Sequence, residues 1–379
     1  MLPDNLVEEI LSRVPATCLK RLRSTCKLWN GIFNDRRFAK NHFDKAPKQY
    51  MVLKLTEEYR LCSFRGELGL IDPVCSAQFR ISHVFHCDGL LLCTSESYNR
   101  IVVWNPCTGQ TKWITDPSDR VMFWVTFTLG RCYQENNYSY KLLRHVPCYE
   151  KLIFEICEIN SDSCWRIPHD VTPDCLLQFA YYSVYLKGKT YWCASDSKEF
   201  DACMHLLSFD YTTERFGRLC LPGPYCRLHT VSLSVVREEK LSVLLRPHDR
   251  LGNEIEIWIS SPIDDPKAVS WSKIFALDDP RLGYCTRTSF LVDIEKKIAT
   301  CRERWIRSRD NAKAKPYYVL QYIVGEDNEV TLLDFGASSH LHLHSQLLFN
   351  YVPSLVHIHE NRRIVVWNPC TGQTKWITH

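Results

Sequence analysis

The sequence predicts a small all-α module followed by an all-β, propeller-like domain. The first 45 residues or so carry apolar residues at helical spacing but are too few to bury all of them. From about Ala46-Pro47 onward, short apolar runs alternate with polar turns, which is typical of antiparallel strands. Strand ends then recur at Asn105, Asn160, Asp210 and Pro262, a period of roughly 50 residues that indicates propeller blades.

The module is expected to begin with an amphipathic helix. Pro3 favours an early start, and Val14-Pro15 ends the helix, because the residue before a proline is pushed out of the helical region. Thr17 is expected to cap a second helix and Asp35 a short third one. Three helices of this size leave an apolar face for a partner to cover. The apolar residues of the first helix, at i, i+4, i+8 spacing, are Leu2, Leu6, Ile10, Leu11 and Val14.

These residues also form a motif: LPxxLxxxILxRxP from Leu2 to Pro15, LR at Leu22-Arg23, and CKxW from Cys26 to Trp29. The motif resembles the F-box, the adaptor-binding module of SCF-type cullin–RING ubiquitin ligases. The resemblance implies that Cys26 and Trp29 belong to the core of the F-box. It also implies contact with a Skp-type adaptor for Leu2, Pro3, Leu6, Ile10, Leu11, Val14, Pro15, Leu19 and Leu22. The alternative is an ordinary helical cap on the rest of the chain.

Composition argues for an intracellular interaction protein. The net charge of +4 arises from 47 basic and 43 acidic residues in 379, a balance that argues against nucleic acid as the main partner. No apolar run reaches the roughly 18 residues that span a membrane, and the N-terminus lacks the apolar region of a signal peptide. We therefore expect the cytoplasm or the nucleus. The 19 cysteines contain no CxxC pair, which disfavours a disulfide framework and a ribbon-type zinc site.

The β region reads as a series of hairpins. A strand from Arg100 to Trp104 ends at a turn through Gly109, and Thr111 to Ile114 resumes the strand pattern. Glu254 to Ser260 alternates strictly between polar and apolar residues. Because no long helix interrupts these strands, the predicted sheets are antiparallel meanders.

Phrases within these hairpins carry a second resemblance. LKGKTYW followed by LLSFDYTTERF, and later VSWSKIF, are similar to the F-box-associated interaction domain of plant F-box proteins, which is related to kelch propellers. The resemblance covers most of Val52 to Ile358. It implies a substrate receptor that binds a Skp-type adaptor, through it a cullin, and an unknown target protein. The alternatives are a propeller enzyme, a small-ligand sensor, or a degenerate F-box protein without a target.

The predicted domains are therefore an F-box at 1–45, the propeller-like domain at 50–358, and a tail at 359–379. The tail is unusual, because residues Arg100 to Thr115 recur without change at Arg363 to Thr378. Repeats in a propeller preserve a pattern and rarely every side chain. The tail is expected to be poorly packed, and the alternative is a strand pair that closes the last blade.

The sequence contains little that indicates chemistry. Motifs of hydrolases, nucleotide-binding proteins, metalloproteases and kinases are missing, so no catalytic residue and no cofactor are predicted. His340, His342 and His344 could share one face of a strand as metal ligands, although a solvent-facing polar row is the commoner meaning. A basic stretch around Trp305 favours a solvated loop over an RNA site. The stretch comprises Arg302, Arg304, Arg307, Arg309, Lys313 and Lys315.

Overall fold

A computed structural model gives the fold of this protein. It describes residues 3–23, 25–56, 60–63, 66–68, 70, 78–95, 100–114, 125–134, 137–147, 152–159, 165–170, 173–177, 182–196, 203–223, 229–247, 254–263, 269–279, 285–306, 317–338, 348–358, 364–367 and 374–377. The predicted fold class is confirmed: four short helices precede a six-bladed β-propeller.

The helical module consists of four helices, one more than the sequence predicts. They are α1 (Asp4–Leu11), α2 (Ala16–Leu22), α3 (Lys27–Phe33) and α4 (Arg36–Lys45). The expected second helix divides in two because Cys26 is extended, with φ of −148°, and serves as the N-cap of α3.

The structure confirms one predicted cap and corrects another. Asp35 caps α4, accepting a hydrogen bond of 2.9 Å from the backbone N–H of Phe38. The prediction for Thr17 was wrong, because α2 begins two residues earlier than predicted, at Ala16, with Pro15 as its N-cap. Thr17 lies inside the helix, and its hydroxyl contacts the side chain of Gln49.

Six antiparallel sheets follow and form the blades. Blade 1 contains β4 (Ile81–Cys87), β5 (Leu90–Ser95), β6 (Ile101–Trp104) and β7 (Thr111–Ile114). Blade 2 contains β8 (Thr126–Gln134), β9 (Asn137–Pro147) and β10 (Leu152–Glu158). Blade 3 contains β11 (Leu176–Leu177), β12 (Val184–Leu186), β13 (Lys189–Ser195), β14 (Met204–Asp210) and β15 (Arg215–Cys220).

The remaining three blades each contain four strands within the described residues. Blade 4 contains β16 (His229–Val236), β17 (Lys240–Pro247), β18 (Glu254–Ser260) and β19 (Trp271–Asp278). Blade 5 contains β20 (Cys285–Asp293), β21 (Ile298–Ile306), β22 (Tyr317–Val324) and β23 (Val330–Ser338). Blade 6 contains β1 (Met51–Leu55), β2 (Leu61–Ser63), β3 (Gly66–Leu68) and β24 (Leu348–Tyr351).

Blade 6 closes the ring by joining the two ends of the propeller domain. Its strand β24 pairs antiparallel with β1, so that Met51 lies opposite Tyr351 and Lys54 opposite Leu348. The tail forms a separate two-stranded sheet, β25 (Ile364–Trp367) with β26 (Thr374–Ile377). The strand that closes the ring is therefore β24 and not the repeated tail.

Side chains between neighbouring blades hold the ring together. The hydroxyl of Tyr211 in blade 3 lies 2.8 Å from the hydroxyl of Thr128 in blade 2. The ring of Tyr211 lies against Gly130, where an added Cβ would come within 2.0 Å of it, so only glycine fits there. Lys141 of β9 donates a 2.9 Å hydrogen bond to the buried carboxylate of Glu214, in the turn between β14 and β15. These contacts fix the position of blade 2 relative to blade 3.

Three other features of the sequence are the lack of membrane spans, the row of histidines and the basic stretch. Within the residues it describes, no helix is long and apolar enough to cross a membrane. His340, His342 and His344 lie outside the described residues, as do Arg307, Arg309, Lys313 and Lys315. Arg302 and Arg304 belong to strand β21 rather than to a loop, and the side chain of Arg302 is buried.

Candidate protein-binding site

Among the residues of the helical module that the structure describes, three large apolar side chains are exposed. Leu6 and Ile10 are 47% and 53% exposed, and Leu28 on α3 is 57% exposed. We call these three the outer residues. Leu6 and Ile10 stand one helical turn apart on α1, so they share one side of that helix. Exposed apolar side chains on so small a module are typical of a surface that a partner covers.

A second group of apolar side chains points into the module. Leu11, Leu19 and Phe33 are 5%, 0% and 0% exposed, and we call them the inner residues. They pack in one cluster with Cys107 and Leu355, which belong to the propeller domain. The inner residues therefore form the core of the module and its contact with the propeller.

The structure thus separates the residues for which adaptor contact is predicted. Pro3, Leu6 and Ile10 are exposed, Val14, Pro15 and Leu22 are half-buried, and Leu11 and Leu19 are buried. Leu2 lies outside the described residues. Cys26 and Trp29, the predicted F-box core residues, are both half-buried, and Trp29 packs against the cluster of inner residues.

Charged side chains hold α1 against α4, with Leu6 and Ile10 facing solvent. The carboxylate of Glu9 pairs with Lys45 of α4 at 2.8 Å and with Arg13 at 2.7 Å. Hydrogen bonds from Lys45 and Arg13 lower the pKa of the Glu9 carboxyl. On the buried side, the ring Nε2 of His42 lies 2.7 Å from the carbonyl oxygen of Val14. These contacts tie the last turn of α4 to α1 and to the turn after it.

The turn between β6 and β7 of the propeller contacts helix α2 of the module. The ammonium group of Lys20 on α2 donates a 2.9 Å hydrogen bond to the carbonyl oxygen of Pro106. The thiol of Cys107 lies 3.6 Å from the carbonyl oxygen of Ala16. Burial raises the pKa of this thiol to about 11, so it packs as a neutral group.

The segment Val352–Ile358, which follows β24, lies between the module and blade 1. Asn105 donates from its side-chain nitrogen to the carbonyl oxygens of Ser354 and Val356, at 3.1 and 2.7 Å. Leu355 packs among the inner residues, while Val356 packs in the apolar cluster between blades 1 and 2. The segment therefore joins the two domains after the chain has closed the ring.

Gly89 makes the close approach of this segment possible. Its φ is +81°, in the region that favours glycine, and a Cβ there would come within 2.3 Å of the Ser354 hydroxyl. At the end of the segment, the ring of His357 lies 3.3 Å from the carbonyl oxygen of Phe33 and 3.0 Å from the side-chain nitrogen of Gln110. The module is thus anchored by polar contacts as well as by the inner residues.

The centre of the propeller contains a cavity of about 400 Å³, and its lining includes Phe43 of the module. At its edge, the carboxylate of Asp88 lies 3.2 Å from the guanidinium of Arg131 and accepts hydrogen bonds of 3.3 Å from Tyr140 and Tyr185. Glu238 pairs with Lys48 at 3.6 Å, and burial raises the pKa of its carboxyl.

Both of these enclosed carboxylates are therefore engaged by groups of the chain itself. Within the part of the chain that the structure describes, no cluster of three or more His, Cys, Asp or Glu side chains could hold a metal ion. Phe43 of the module lines the cavity, so the module reaches the centre of the propeller, and the cavity gives no specific support to an enzyme or a small-ligand sensor.

Two protein families match this chain. The F-box domain matches residues 1–41, and the F-box associated beta propeller domain matches residues 48–358, well over half of the chain. This chain belongs to the plant F-box proteins with an F-box-associated propeller domain.

This F-box protein resembles proteins of Arabidopsis thaliana over nearly its whole length. It is 48% identical over 377 residues to "Probable F-box protein At5g47300", in a match that covers 95% of this chain and 87% of the relative. It is 42% identical to "F-box protein At2g07140", with 94% of this chain and 96% of the relative covered. It is also 42% identical to "F-box/kelch-repeat protein At3g44120", with 93% and 95% covered.

Sequence reasoning missed two parts of the site in this F-box protein. Leu28 lies between the motif residues Lys27 and Trp29. An apolar residue next to a lysine was the only sign in the sequence that it could be an exposed apolar side chain. The joining segment Val352–Ile358 had no signal beyond a run of apolar residues, because its partners Asn105 and Phe33 lie far away in the sequence.

Proposed function

We propose that this F-box protein is the substrate-recognition subunit of an SCF-type cullin–RING ubiquitin ligase. In this role, the helical module binds a Skp-type adaptor and the propeller binds a target protein. One observation carries the proposal: the module leaves Leu6, Ile10 and Leu28 exposed although its other side is already fixed to the propeller. A helical cap that served only the propeller would have no need of exposed apolar anchors.

The anchoring of the module supports the proposed mechanism. The inner residues and Lys20 attach the module to the β6–β7 turn of blade 1, and the inner residues also contact the segment Val352–Ile358, which follows the ring-closing strand β24. A target held by the propeller would then lie at a defined distance from the adaptor. Holding two partners in this way raises their effective concentration and makes transfer of ubiquitin effectively intramolecular.

In this proposal the chain positions the target protein, and the enzyme that the cullin recruits carries out the chemistry. The adaptor in turn connects the chain to the cullin. We propose the cytoplasm, the nucleus or both as its location. The target would contact loops of the propeller, because recognition residues in such domains are disproportionately carried by loops on a rigid scaffold.

Affinity capture of the full chain from plant cells under mild proteasome inhibition tests this proposal. We expect a Skp-type adaptor and a cullin in the eluate of the unchanged chain. The double variant Leu6→Asp/Ile10→Asp should lose both, because buried interface anchors typically contribute about 2 kcal/mol or more each. The matched control is Ile167→Asp, which changes an apolar side chain of the propeller that is 68% exposed. Absence of adaptor and cullin from the eluate of the unchanged chain would refute the proposal, and capture of both by the double variant at the level of the control would refute the assignment of the adaptor surface to Leu6 and Ile10.

A further inference from the structure

The repeated segment appears in two different settings in one chain. Arg100 to Thr115 and Arg363 to Thr378 have the same sequence. The first copy forms β6 and β7 of blade 1, with Ile101 opposite Ile114 and Trp104 opposite Thr111. The second copy forms β25 and β26, with Ile364 opposite Ile377 and Trp367 opposite Thr374. The two strands of each copy therefore pair in the same register.

The first copy is deeply embedded in the protein. Ile101, Val102 and Val103 are all 0% exposed, and β6 pairs along β5 from Thr94 to Leu91. Its turn carries Asn105 and Cys107, which contact the segment Val352–Ile358 and helix α2. Every one of these residue types recurs in the second copy at the same place in the sequence, with Asn368 for Asn105 and Cys370 for Cys107.

The chain leaves the propeller next to the hairpin that the tail duplicates. The backbone N–H of Ile358, the residue before the tail, donates a 3.2 Å hydrogen bond to the side-chain oxygen of Gln110, at the end of the β6–β7 turn. To occupy the place of β6, residue 364 must lie opposite Thr94, about 10 Å farther along a four-residue strand. The connection from residue 358 to residue 364 spans up to about 20 Å when extended. The connection is therefore long enough for residue 364 to reach the position opposite Thr94.

We infer that β6–β7 and the tail hairpin are alternative occupants of one site on this protein. The site consists of the edge of β5, the surface of α2 and the segment Val352–Ile358. The occupant is the tail of the same molecule, because its covalent attachment at Ile358, next to the β6–β7 turn, gives it an effective concentration that a second chain does not reach. When the tail binds, the first hairpin leaves blade 1, and the chain between β5 and β8 becomes one long loop.

The two arrangements are close in free energy, because identical side chains make the same contacts in each. They differ mainly in the loops that connect them, and the cost of closing a loop grows slowly with its length. The shorter connections of β6–β7 favour the arrangement in the structure. After the exchange, the tail would make the same contacts with the helical module as β6–β7. The long loop between β5 and β8 would then be exposed at blade 1.

The decisive experiment compares three variants of the full chain: Val103→Asp, Val366→Asp, and the two together. Val103 is fully buried, and Val366 is its counterpart in the tail. We expect Val366→Asp to melt like the unchanged chain and Val103→Asp to melt within about 3 °C of it, because the tail replaces the damaged hairpin. The double variant should melt at least about 10 °C lower or lose its cooperative transition, since neither copy can then fill the site. If the melting temperature of Val103→Asp alone falls as far as that of the double variant, or if Val103→Asp fails to fold, the inference is overturned.

Hydrogen exchange followed by mass spectrometry gives a second, structural readout. In the Val103→Asp chain, protection should move from residues 101–114 to residues 364–377, which lie in distinguishable peptides because their flanking sequences differ. Protection that stays with residues 101–114 would contradict the exchange. The variant should also remain monomeric in light scattering, and a dimer would overturn the assignment of the occupant to the same molecule.

Discussion

The inner and the outer residues of the helical module are the same kinds of side chain in two different surroundings. Leu19 on α2 is fully buried against its own module, whereas Leu28 on α3 is 57% exposed. On α1, Leu11 is buried while its neighbour Ile10 is exposed. The comparison teaches that helical spacing identifies apolar residues without saying what covers them. Burial in the folded chain separates the residues that hold the module together from those available to a partner.

Truncation of one leucine in each group is the strongest way to break this comparison. Leu19→Ala removes a fully buried side chain and should lower the free energy of unfolding of the module by about 2–5 kcal/mol. Leu28→Ala is the matched control and should lower it by about 0.5 kcal/mol or less. Hydrogen exchange of the module amides in the full chain measures both changes. Equal losses in the two variants would show that the inner and outer residues are not distinct.

Acid should weaken the module through a histidine on its buried side. Burial lowers the pKa of His42, and the same cause lowers the pKa of His357 in the joining segment. In the folded state these rings resist a proton that the unfolded chain takes up below about pH 6.5. Their contribution to stability is therefore fully present above that pH and is lost as the pH falls below it.

Melting temperatures of the full chain between about pH 7.5 and pH 5.5 measure this effect. Other buried histidines act in the same direction, such as His145, whose pKa burial lowers to about 4. The variant His42→Gln isolates the contribution of the module and should show a shallower fall with acid. An unchanged pH dependence in that variant would exclude His42 as a source of the acid sensitivity.

A smaller effect is expected where the joining segment meets blade 1. Ser354→Ala removes a 2.7 Å hydrogen bond from the Ser354 hydroxyl to the buried carbonyl oxygen of Asp88, and should cost about 1 kcal/mol. The matched control is Thr25→Ala, which removes an equally short hydroxyl-to-carbonyl bond, to Leu22, on the exposed surface of the module. Chemical denaturation of the full chain should show the larger loss for Ser354→Ala. The reverse order would mean that the joining segment contributes little to stability.

Much of the fold could be predicted from the sequence, because its signals are local. The strand from Thr111 to Ile114 and the alternating strand from Glu254 to Ser260 have the predicted bounds, since alternation and turn residues act over a few positions. The cap of α4 by Asp35 was predicted for the same reason. The division of the expected second helix at Cys26 was missed, since its residues have no strong helix-breaking signal.

The parts that could not be predicted depend on residues far apart in the sequence. The pairing of Met51 with Tyr351 closes the ring, and no local pattern indicates it. The sequence identified Asn105 as the end of a strand but gave no indication that its side chain would bind Ser354 and Val356. The same limit applies to the candidate site, where Leu11 and Ile10 look alike until tertiary packing covers only Leu11.

Calorimetric titration of the purified full chain with a purified Skp-type adaptor tests the central claim most directly. The account predicts binding by the unchanged chain and by Ile167→Asp, and at least about 100-fold weaker binding by Leu6→Asp/Ile10→Asp. The double variant should keep the melting temperature of the unchanged chain within about 2 °C, because both side chains are exposed in the free protein. Equal affinity of the double variant and the unchanged chain would contradict the claim that the outer residues bind the adaptor.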